Sequence, residues 1–299
     1  MNSAVRQRIL VLVNRRSGVL SGFETIQAAV ERFWDVENAE VFFQSSKDAA
    51  DGLRKARRAV ESGTGVLLVA GGDGTVNTIG QALVGTETVL GVIPVGSGNG
   101  FARHFGIPLT PGKAVEALAR GRVKEIDVGV VNGRPFFVTC SMAWDAAIVR
   151  SFEQAPFRGI LPYLLAGVQQ WFEYVPQDME LSIDGGEPRR LVRPMILTVA
   201  NLTQYGGGAK IAPQARADDG FLELVVALRE DAPRLMANIG RVFAGSIDRI
   251  PEVKSFRFRS LRVKRERGVQ IQVDGELVDA GPEVEVGLSP RRLRVLVPG

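Results

Sequence analysis

Two glycine-rich stretches contain the residue types that bind phosphate groups. One is Gly71–Thr75, with the sequence GGDGT, and the other is Gly96–Asn99, with the sequence GSGN; each follows a strand-like apolar run and precedes a helical pattern. Glycine lets backbone N–H groups approach a bulky anion closely, and a helix N-terminus adds further donors and partial positive charge. Thr75 and Ser97 add hydroxyl groups. The pattern therefore predicts a phosphate-binding site at two strand-to-helix corners.

Asp73 differs from its neighbours, because a carboxylate repels a phosphate unless a cation lies between them. We therefore interpret Asp73 as a magnesium-linked group of a nucleotide site and as a candidate catalytic residue. Neither Gly-x4-Gly-Lys-Ser/Thr nor Gly-x-Gly-x-x-Gly occurs in the chain. The first absence excludes a P-loop, and the second argues against a dinucleotide-dependent oxidoreductase.

With their flanking residues, GGDGTVN at 71–77 and GSGNGFAR at 96–103, these stretches resemble the diacylglycerol kinase catalytic family. That family includes bacterial lipid kinases, sphingosine kinases and ceramide kinases. One departure is Gly100, where many bacterial members have Asp, whereas Ser97 keeps the hydroxyl of the commoner Thr. The resemblance implies an ATP-dependent lipid kinase. The residues that it implies for nucleotide binding are Asn14, Ser45, Gly71, Gly72, Asp73, Gly74, Thr75, Asn77, Gly96, Ser97, Gly98 and Asn99.

A second pair of carboxylates, Asp274 and Glu276, flanks a glycine at the end of a predicted strand. Phosphoryl transfer to a lipid hydroxyl needs a base that accepts the hydroxyl proton and a cation that offsets the phosphate charge. The Asp-Gly-Glu sequence resembles the motif that supplies this base in the family. The resemblance implies Asp274 as the base and Glu276 as the second choice, either as base or as magnesium contact. Asp-Gly is also a common hairpin signal, which is the purely structural alternative.

The run at 201–223 resembles another family motif, with Asp-Asp-Gly at 218–220 in its centre. Consecutive carboxylates before a glycine suit a tight turn around a hard cation, and a plain turn is the alternative. In bacterial relatives the corresponding loop holds a structural magnesium ion. The resemblance implies Asp219 and the carbonyl oxygens of Arg216 and Phe221 as its ligands.

Asp145 lies in the sequence Ser-Met-Ala-Trp-Asp-Ala at 141–146, which resembles a corner of the family near the lipid substrate. The resemblance implies that Asp145 contacts this substrate in a cleft between two domains. A neutral diacylglycerol-like acceptor is favoured over a sphingoid base, whose amine would pair with Asp145. The helix predicted at 159–174 has a broad apolar face with aromatic edges, which suits either a cover for the sheet or a membrane contact.

The elements that must position these residues change in character near residue 127. Before it, apolar runs alternate with helical patterns, which is typical of a doubly wound α/β domain with a mostly parallel sheet. After it, short strand-like segments follow one another, which favours an antiparallel β-sandwich. We therefore predict a nucleotide-binding domain at 1–128 and a β-sandwich lipid-substrate domain at 129–285. In the family the last strand returns to the first domain, and residues 286–299 are the candidate here.

The composition excludes wholesale disorder, since 45% of the 299 residues are hydrophobic and 23% are charged. A net charge of +4 and a pI near 9.4 suit anionic nucleotides or an anionic membrane surface. The single cysteine, Cys140, excludes an intramolecular disulfide. No uncharged apolar stretch approaches the ~20 residues of a spanning helix. We predict a cytoplasmic lipid kinase that visits the membrane surface and uses ATP and Mg²⁺.

Seven Lys or Arg residues and one Glu lie at 254–267. This basic segment is typical of a solvated strand face, or of attraction to anionic lipid headgroups. No aromatic stacking platform accompanies the charges, so we expect no nucleic-acid partner. A homodimer is compatible with the sequence.

Two rival functions remain at this point. One is an NAD-kinase-type phosphotransferase, which shares GGDGT, and the other is a catalytically weak lipid- or nucleotide-binding protein, which Gly100 keeps open.

Overall fold

The computed structural model of the chain describes residues 7–14, 23–34, 39–144 and 176–299. These residues divide into two compact units. The first comprises residues up to Ile126 together with Arg291–Gly299, and the second comprises Asp127–Pro290.

The first unit contains a six-stranded sheet with helices between its strands. Its strands are β1 (Gln7–Asn14), β2 (Ala39–Ser46), β3 (Val66–Gly71), β4 (Val89–Pro94), β5 (Arg122–Ile126) and β18 (Leu293–Val297). Its helices are α1 (Phe23–Phe33), α2 (Ala49–Glu61), α3 (Asp73–Gly80), α4 (Gly100–His104) and α5 (Pro111–Ala119). The strand order is β2-β1-β3-β4-β18-β5, and every pairing is parallel except that of β18 with β5.

Continuous apolar runs form the centre of this sheet, because parallel strands are covered by helices on both faces. Every residue of β3 and of β4 is buried. The chain proceeds from β1 outward to β2 and then returns to β3 on the other side of β1, so the strand order reverses there. Ligands of such sheets bind at the carboxyl ends of the strands beside this reversal. Those ends carry Asn14, Gly71 and Pro94.

The second unit consists of two six-stranded sheets whose pairings are all antiparallel. The first sheet contains β6 (Gly129–Val131), β7 (Arg134–Phe136), β9 (Met179–Ile183), β10 (Arg189–Leu191), β14 (Ser260–Arg265) and β17 (Glu283–Leu288). The second contains β8 (Thr139–Ser141), β11 (Pro194–Ala200), β12 (Leu222–Leu228), β13 (Lys254–Phe258), β15 (Ile271–Val273) and β16 (Glu276–Val278). The strand orders are β10-β9-β14-β17-β6-β7 and β13-β12-β11-β8-β15-β16.

A single apolar core joins the two sheets of the second unit into a sandwich. Phe136 and Val263 of one sheet share this core with Leu197 and Phe258 of the other, and all four are fully buried. A smaller cluster involves two short helices, α6 (Ala232–Ala237) and α7 (Gly240–Ala244). The α/β unit and the antiparallel sandwich confirm the predicted fold class.

Two arginines of the basic segment pair with carboxylates. Arg262 pairs with Glu285 on the neighbouring strand at 2.8 Å, and Arg257 pairs with Asp219 and faces Glu223. At these two positions the segment forms a strand face with compensated charges. Across residues 7–14, 23–34, 39–144 and 176–299, every helix is too short or too polar to cross a membrane.

Candidate active site

The two glycine-rich corners of the α/β unit touch each other through their backbones. A Cβ atom placed on Gly96 would lie 2.6 Å from the Cα atom of Gly72, and one placed on Gly72 would lie 3.2 Å from the Cα atom of Gly96. Real Cβ atoms do not approach backbone atoms so closely, so only glycine permits this contact. The result is one continuous backbone surface at the ends of β3 and β4.

The first corner leads directly into α3, whose N-cap is Gly72. The first N–H groups of a helix have no partner inside the helix, and they favour an anion. Thr75 lies in this first turn, and its Oγ1 accepts a hydrogen bond from Asn14 Nδ2 at 2.8 Å. The structure therefore brings together Asn14, Gly72, Gly74 and Thr75, as expected for neighbours at one sheet edge. This arrangement of backbone N–H groups and a hydroxyl suits an anion.

Asp73 holds the second corner against the first. Its Oδ2 accepts the N–H of Gly100 at 2.9 Å, and its Oδ1 accepts the N–H of Phe101 at 3.0 Å. The residue keeps some solvent exposure, yet desolvation of its carboxyl raises the pKa of Asp73 above its ordinary value, against the opposing effects of these two donors and of Arg103. The first N–H groups of α4 are thereby occupied, so the second corner does not offer a free helix N-terminus to phosphate.

Two asparagines predicted to contact the nucleotide make local hydrogen bonds, Asn99 in the second corner and Asn77 within α3. Asn99 is in the left-handed region at φ 51°, and it bonds Gly96 twice: Oδ1 accepts the Gly96 N–H at 3.1 Å, and Nδ2 donates to the Gly96 carbonyl at 2.7 Å. Asn77 is buried in α3, and its Oδ1 accepts a hydrogen bond from Gln81 at 2.6 Å. Ser97, by contrast, is exposed at the tip of the second corner, next to Gly98.

Ser45 lies near the carboxyl end of β2, next to β1, where it pairs with Val13. Its carbonyl oxygen accepts a hydrogen bond from Lys55 Nζ at 2.5 Å, and the same ammonium donates to Asp51 at 2.9 Å. The structure thus adds a lysine to this edge of the sheet that the sequence analysis missed. The spacing of four residues between Asp51 and Lys55 on one helix face was the available signal.

In the sandwich, Asp274 is a buried anchor for a neighbouring segment. Its carboxylate accepts three backbone N–H groups, those of Phe137 at 2.7 Å, Val138 at 2.8 Å and Thr139 at 3.0 Å. Only 2% of the residue is exposed. Asp274 and Gly275 both have positive φ, 47° and 90°, as a two-residue hairpin turn requires. The carboxylate of Asp274, the predicted base, therefore has a structural role in this fold: it fixes residues 137–139.

Glu276 follows the same turn and is the accessible member of the pair. It is the first residue of β16, and its side chain is 41% exposed. Its Oε2 accepts a hydrogen bond from Arg134 Nη2 at 2.7 Å. Arg134 is a residue that the sequence analysis missed, because it lies 142 positions away in the chain. The Glu276 carboxylate is therefore partly exposed, whereas that of Asp274 is buried.

Asn201 and Asp127 complete the support around residues 137–139. The Nδ2 of Asn201 donates to the carbonyl oxygens of Asp127 at 2.9 Å and of Phe137 at 3.0 Å. Asp127 Oδ2 in turn accepts the N–H of Gly220 at 2.7 Å. Three motifs noted in the sequence thus hold the chain before β8. Asp274 bonds residues 137–139, Asn201 bonds Phe137 and Asp127, and Gly220 bonds Asp127.

The predicted structural magnesium site at Asp219 does not fit the residues present. Asp219 Oδ2 is hydrogen-bonded by Arg257, and Asp219 Oδ1 accepts the N–H of Phe221 at 3.1 Å. The Arg257 guanidinium also lies 3.6 Å from the Glu223 carboxylate and 4.4 Å from the centroid of the Phe221 ring. Burial raises the pKa of Glu223 above its ordinary value. A guanidinium therefore supplies the positive charge that the ion would bring. The predicted ligand set of Asp219 with the carbonyl oxygens of Arg216 and Phe221 gains no support from this structure, because Arg257 occupies the Asp219 carboxylate.

Asp145 and the helix predicted at 159–174 lie outside the described residues. Elsewhere in the described ranges, no three His, Cys, Asp or Glu side chains come together as a metal-ligand set.

Two family models match the chain, one for each part of the fold. The model described as the diacylglycerol kinase catalytic domain matches residues 8–131. The model described as the YegS C-terminal NAD kinase beta sandwich-like domain matches residues 139–297.

Curated relatives extend over most of the chain. A diacylglycerol kinase of Mycobacterium tuberculosis (strain ATCC 25618 / H37Rv) is 28% identical over an alignment of 299 positions, which covers 97% of this chain and 95% of the relative. A YegS-like lipid kinase of Chromohalobacter salexigens is 31% identical over 240 residues, which cover 77% of this chain and 75% of the relative.

Solved structures share the fold at low sequence identity. A diacylglycerol kinase from Bacillus anthracis gives a TM-score of 0.71 at 18% identity and covers 97% of both chains. An NAD kinase from Archaeoglobus fulgidus gives a TM-score of 0.50 at 16% identity, covering 98% of this chain and 94% of that one. The resemblance drawn from the two glycine-rich corners is thereby confirmed: the chain contains a diacylglycerol kinase catalytic domain and a YegS C-terminal β-sandwich domain, and it belongs to the family of YegS-like lipid kinases.

Proposed function

We propose that this protein is a lipid kinase that transfers the γ-phosphoryl group of ATP to the hydroxyl of a neutral, diacylglycerol-like lipid at a membrane surface. Two features support the proposal: the family membership, and the backbone contact between Gly72 and Gly96 beside the N-terminus of α3. The second is the observation that carries it, since it keeps the backbone at both corners free of side chains beside a helix N-terminus, where an anion binds.

The α/β unit binds and orients the triphosphate in this proposal. The N–H groups at 72–75 donate to phosphate oxygens, and the Thr75 hydroxyl, positioned by Asn14, donates alongside them. Asp73 keeps the second corner in place, which leaves Ser97 at its exposed tip to contact the nucleotide. Magnesium bound to the phosphates offsets their negative charge. Phosphoryl transfer depends chiefly on such positioning.

Glu276 acts as the base in the sandwich. Its carboxylate takes the proton of the lipid hydroxyl while the hydroxyl oxygen forms its bond to the γ-phosphorus. The bond from that phosphorus to the bridging oxygen breaks, and ADP leaves. Asp274 is less suited to this role, because its carboxylate is buried and accepts three N–H groups. It holds the turn that presents Glu276.

The proposed acceptor is a neutral lipid, and the motif at 141–146 provides a test of this choice. Asp145 is proposed to lie near the acceptor hydroxyl, on the strength of its motif. A cationic sphingoid base would use this carboxylate, whereas a neutral glycerolipid would not. With a neutral acceptor, Asp145→Asn should therefore leave the KM for lipid nearly unchanged.

The experiment that tests the function uses radiolabelled ATP and mixed micelles that contain either diacylglycerol or sphingosine. Phosphorylated diacylglycerol is expected. EDTA should abolish its formation, because the proposed reaction requires magnesium. Glu276→Gln should lower kcat by at least ~10²-fold, as for a lost acid–base group, with little change in Tm. Labelled product from sphingosine alone would replace the acceptor, and product from neither lipid would reject the kinase proposal.

A further inference from the structure

In two hairpins of the sandwich, the residues that follow the turn have opposite charges. The turn between β6 and β7 consists of Asn132 and Gly133, with φ values of 46° and 81°, and Arg134 follows directly. The turn between β15 and β16 has the same pattern of two positive φ values, and Glu276 follows directly. In each case the residue after the turn is paired with the last residue of the preceding strand, so its backbone position is set by the hairpin.

These two hairpins form the corresponding edges of the two sheets. β7 is the last strand of the first sheet, and β16 is the last strand of the second. The hydrogen bond from Arg134 Nη2 to Glu276 Oε2, at 2.7 Å, therefore links one sheet to the other. Their side chains are 32% and 41% exposed, and a partly exposed ion pair of this kind stabilises a fold only slightly. Its location on the candidate base suggests a role other than stability.

We propose that Arg134 is a positioning residue that holds the Glu276 carboxylate for proton transfer. The inference rests on the proposed function, in which Glu276 is the base. The bond to Oε2 fixes the torsions of a side chain that could otherwise adopt several rotamers at the surface. Oε1 then stands ready to accept the proton of the lipid hydroxyl. Arginine suits this role because its guanidinium stays charged at every working pH.

A second ion pair of the same sandwich provides the matched control. Arg262 and Glu285 lie on the neighbouring strands β14 and β17, with Nη2 and Oε1 2.8 Å apart, and their side chains are 58% and 63% exposed. This pair has the same chemistry and nearly the same length. It lies in the middle of one sheet and does not involve a candidate site residue. Arg262→Gln should therefore leave kcat, KM and Tm close to those of the wild type.

The test compares Arg134→Gln, Arg134→Lys and Arg262→Gln in the full chain, with kcat, the KM for ATP and Tm measured for each. Arg134→Gln should lower kcat by ~10-fold to ~10²-fold, as expected for a misplaced catalytic group, with an unchanged KM for ATP and an unchanged Tm. Arg134→Lys should recover part of that loss, since it keeps the charge but not the geometry. In the Glu276→Gln background, Arg134→Gln should have no further effect on kcat.

The outcomes separate this inference from the proposed function. If Glu276→Gln abolishes turnover while Arg134→Gln keeps the wild-type kcat, the positioning role is overturned and the base assignment stands. A fall in Tm with an unchanged kcat per folded molecule makes the pair structural and also overturns the inference. If Glu276→Gln keeps full activity, the base assignment itself fails. Should Arg134→Gln not fold, Arg134→Lys decides, and a wild-type kcat in that variant overturns the role.

Discussion

Asp73 in the α/β unit and Asp274 in the sandwich make the same kind of contact. Each belongs to a family motif, and each carboxylate accepts backbone N–H groups from a segment that is distant in sequence, two for Asp73 and three for Asp274. The two differ in the groups left available beside them. Next to Asp73 these are the backbone N–H groups at the N-terminus of α3, and next to Asp274 it is the partly exposed carboxylate of Glu276.

The difference follows from the chemistry that each place must perform. A triphosphate carries several charges and is bound best by many fixed N–H donors, which glycine-rich backbone supplies. A hydroxyl proton needs one accessible basic group, which backbone cannot supply. In both units the aspartate of the motif is a support, and the groups proposed to meet the substrate lie within two residues of it along the chain.

The largest difference should be that between Asp274→Asn and Glu276→Gln in the free energy of unfolding. It separates a structural carboxylate from one that is proposed to take part in the reaction. Asp274→Asn removes a buried charge that accepts three N–H groups, and it should lower the free energy of unfolding by about 2–4 kcal/mol. Glu276→Gln should leave that free energy nearly unchanged. Urea denaturation of both variants measures the difference. Equal stability of the two variants would mean that Asp274 is not the support described here.

Gly96→Ala should come next, because its Cβ would lie 2.6 Å from the Cα atom of Gly72. The corners must then separate, and the KM for ATP should rise by on the order of 10-fold or more. Gly112→Ala in α5 is the matched control, since the nearest atom to its Cβ is 3.9 Å away, in the Thr25 side chain. This control should be neutral or slightly stabilising. An unchanged KM in Gly96→Ala would rule out the corner contact as part of the nucleotide site.

Arg257→Gln tests whether a guanidinium takes the place of the structural ion in the sandwich. In the wild type, millimolar magnesium should leave Tm unchanged, because Arg257 already compensates Asp219 and Glu223. In Arg257→Gln these two carboxylates repel each other, so Tm should fall by a few degrees and rise again with added magnesium. Differential scanning calorimetry with and without magnesium measures both. A magnesium-dependent Tm in the wild type would restore the ion site.

The smallest effect concerns Asp51, an aspartate held mainly by a side-chain ammonium. The Lys55 bond and the Lys47 N–H lower the pKa of Asp51 to about 2 from 3.8. Because the pKa is lower in the folded state, Asp51 contributes stability above pH 3.8, and this contribution is lost as the pH falls towards 2. The urea midpoint of the wild type should exceed that of Asp51→Asn near neutral pH and converge with it in this acid range. A gap that does not change with pH would exclude the pair as its cause.

The local elements of the fold and the family of this protein could be predicted from the residues alone. Glycine-rich corners after continuous apolar runs indicated the parallel sheet, because buried strands and φ-permissive turns are properties of short segments. The Asp-Gly step before Glu276 indicated a hairpin for the same reason. The residue types at Asn14, Gly72 and Thr75 likewise indicated phosphate chemistry before their contacts were known.

Only the tertiary structure decided which of the polar residues are supports and which are available to a substrate. Asp73 bonds groups 27 and 28 positions away, Asp274 bonds groups 135 to 137 positions away, and Arg134 reaches Glu276 across 142 positions. The partner of each carboxylate depends on which N–H or guanidinium lies within about 3 Å, and hydrogen-bond energy falls steeply beyond that distance. Periodicity and motif spacing describe neighbours along the chain, so they carry no information about contacts of this range.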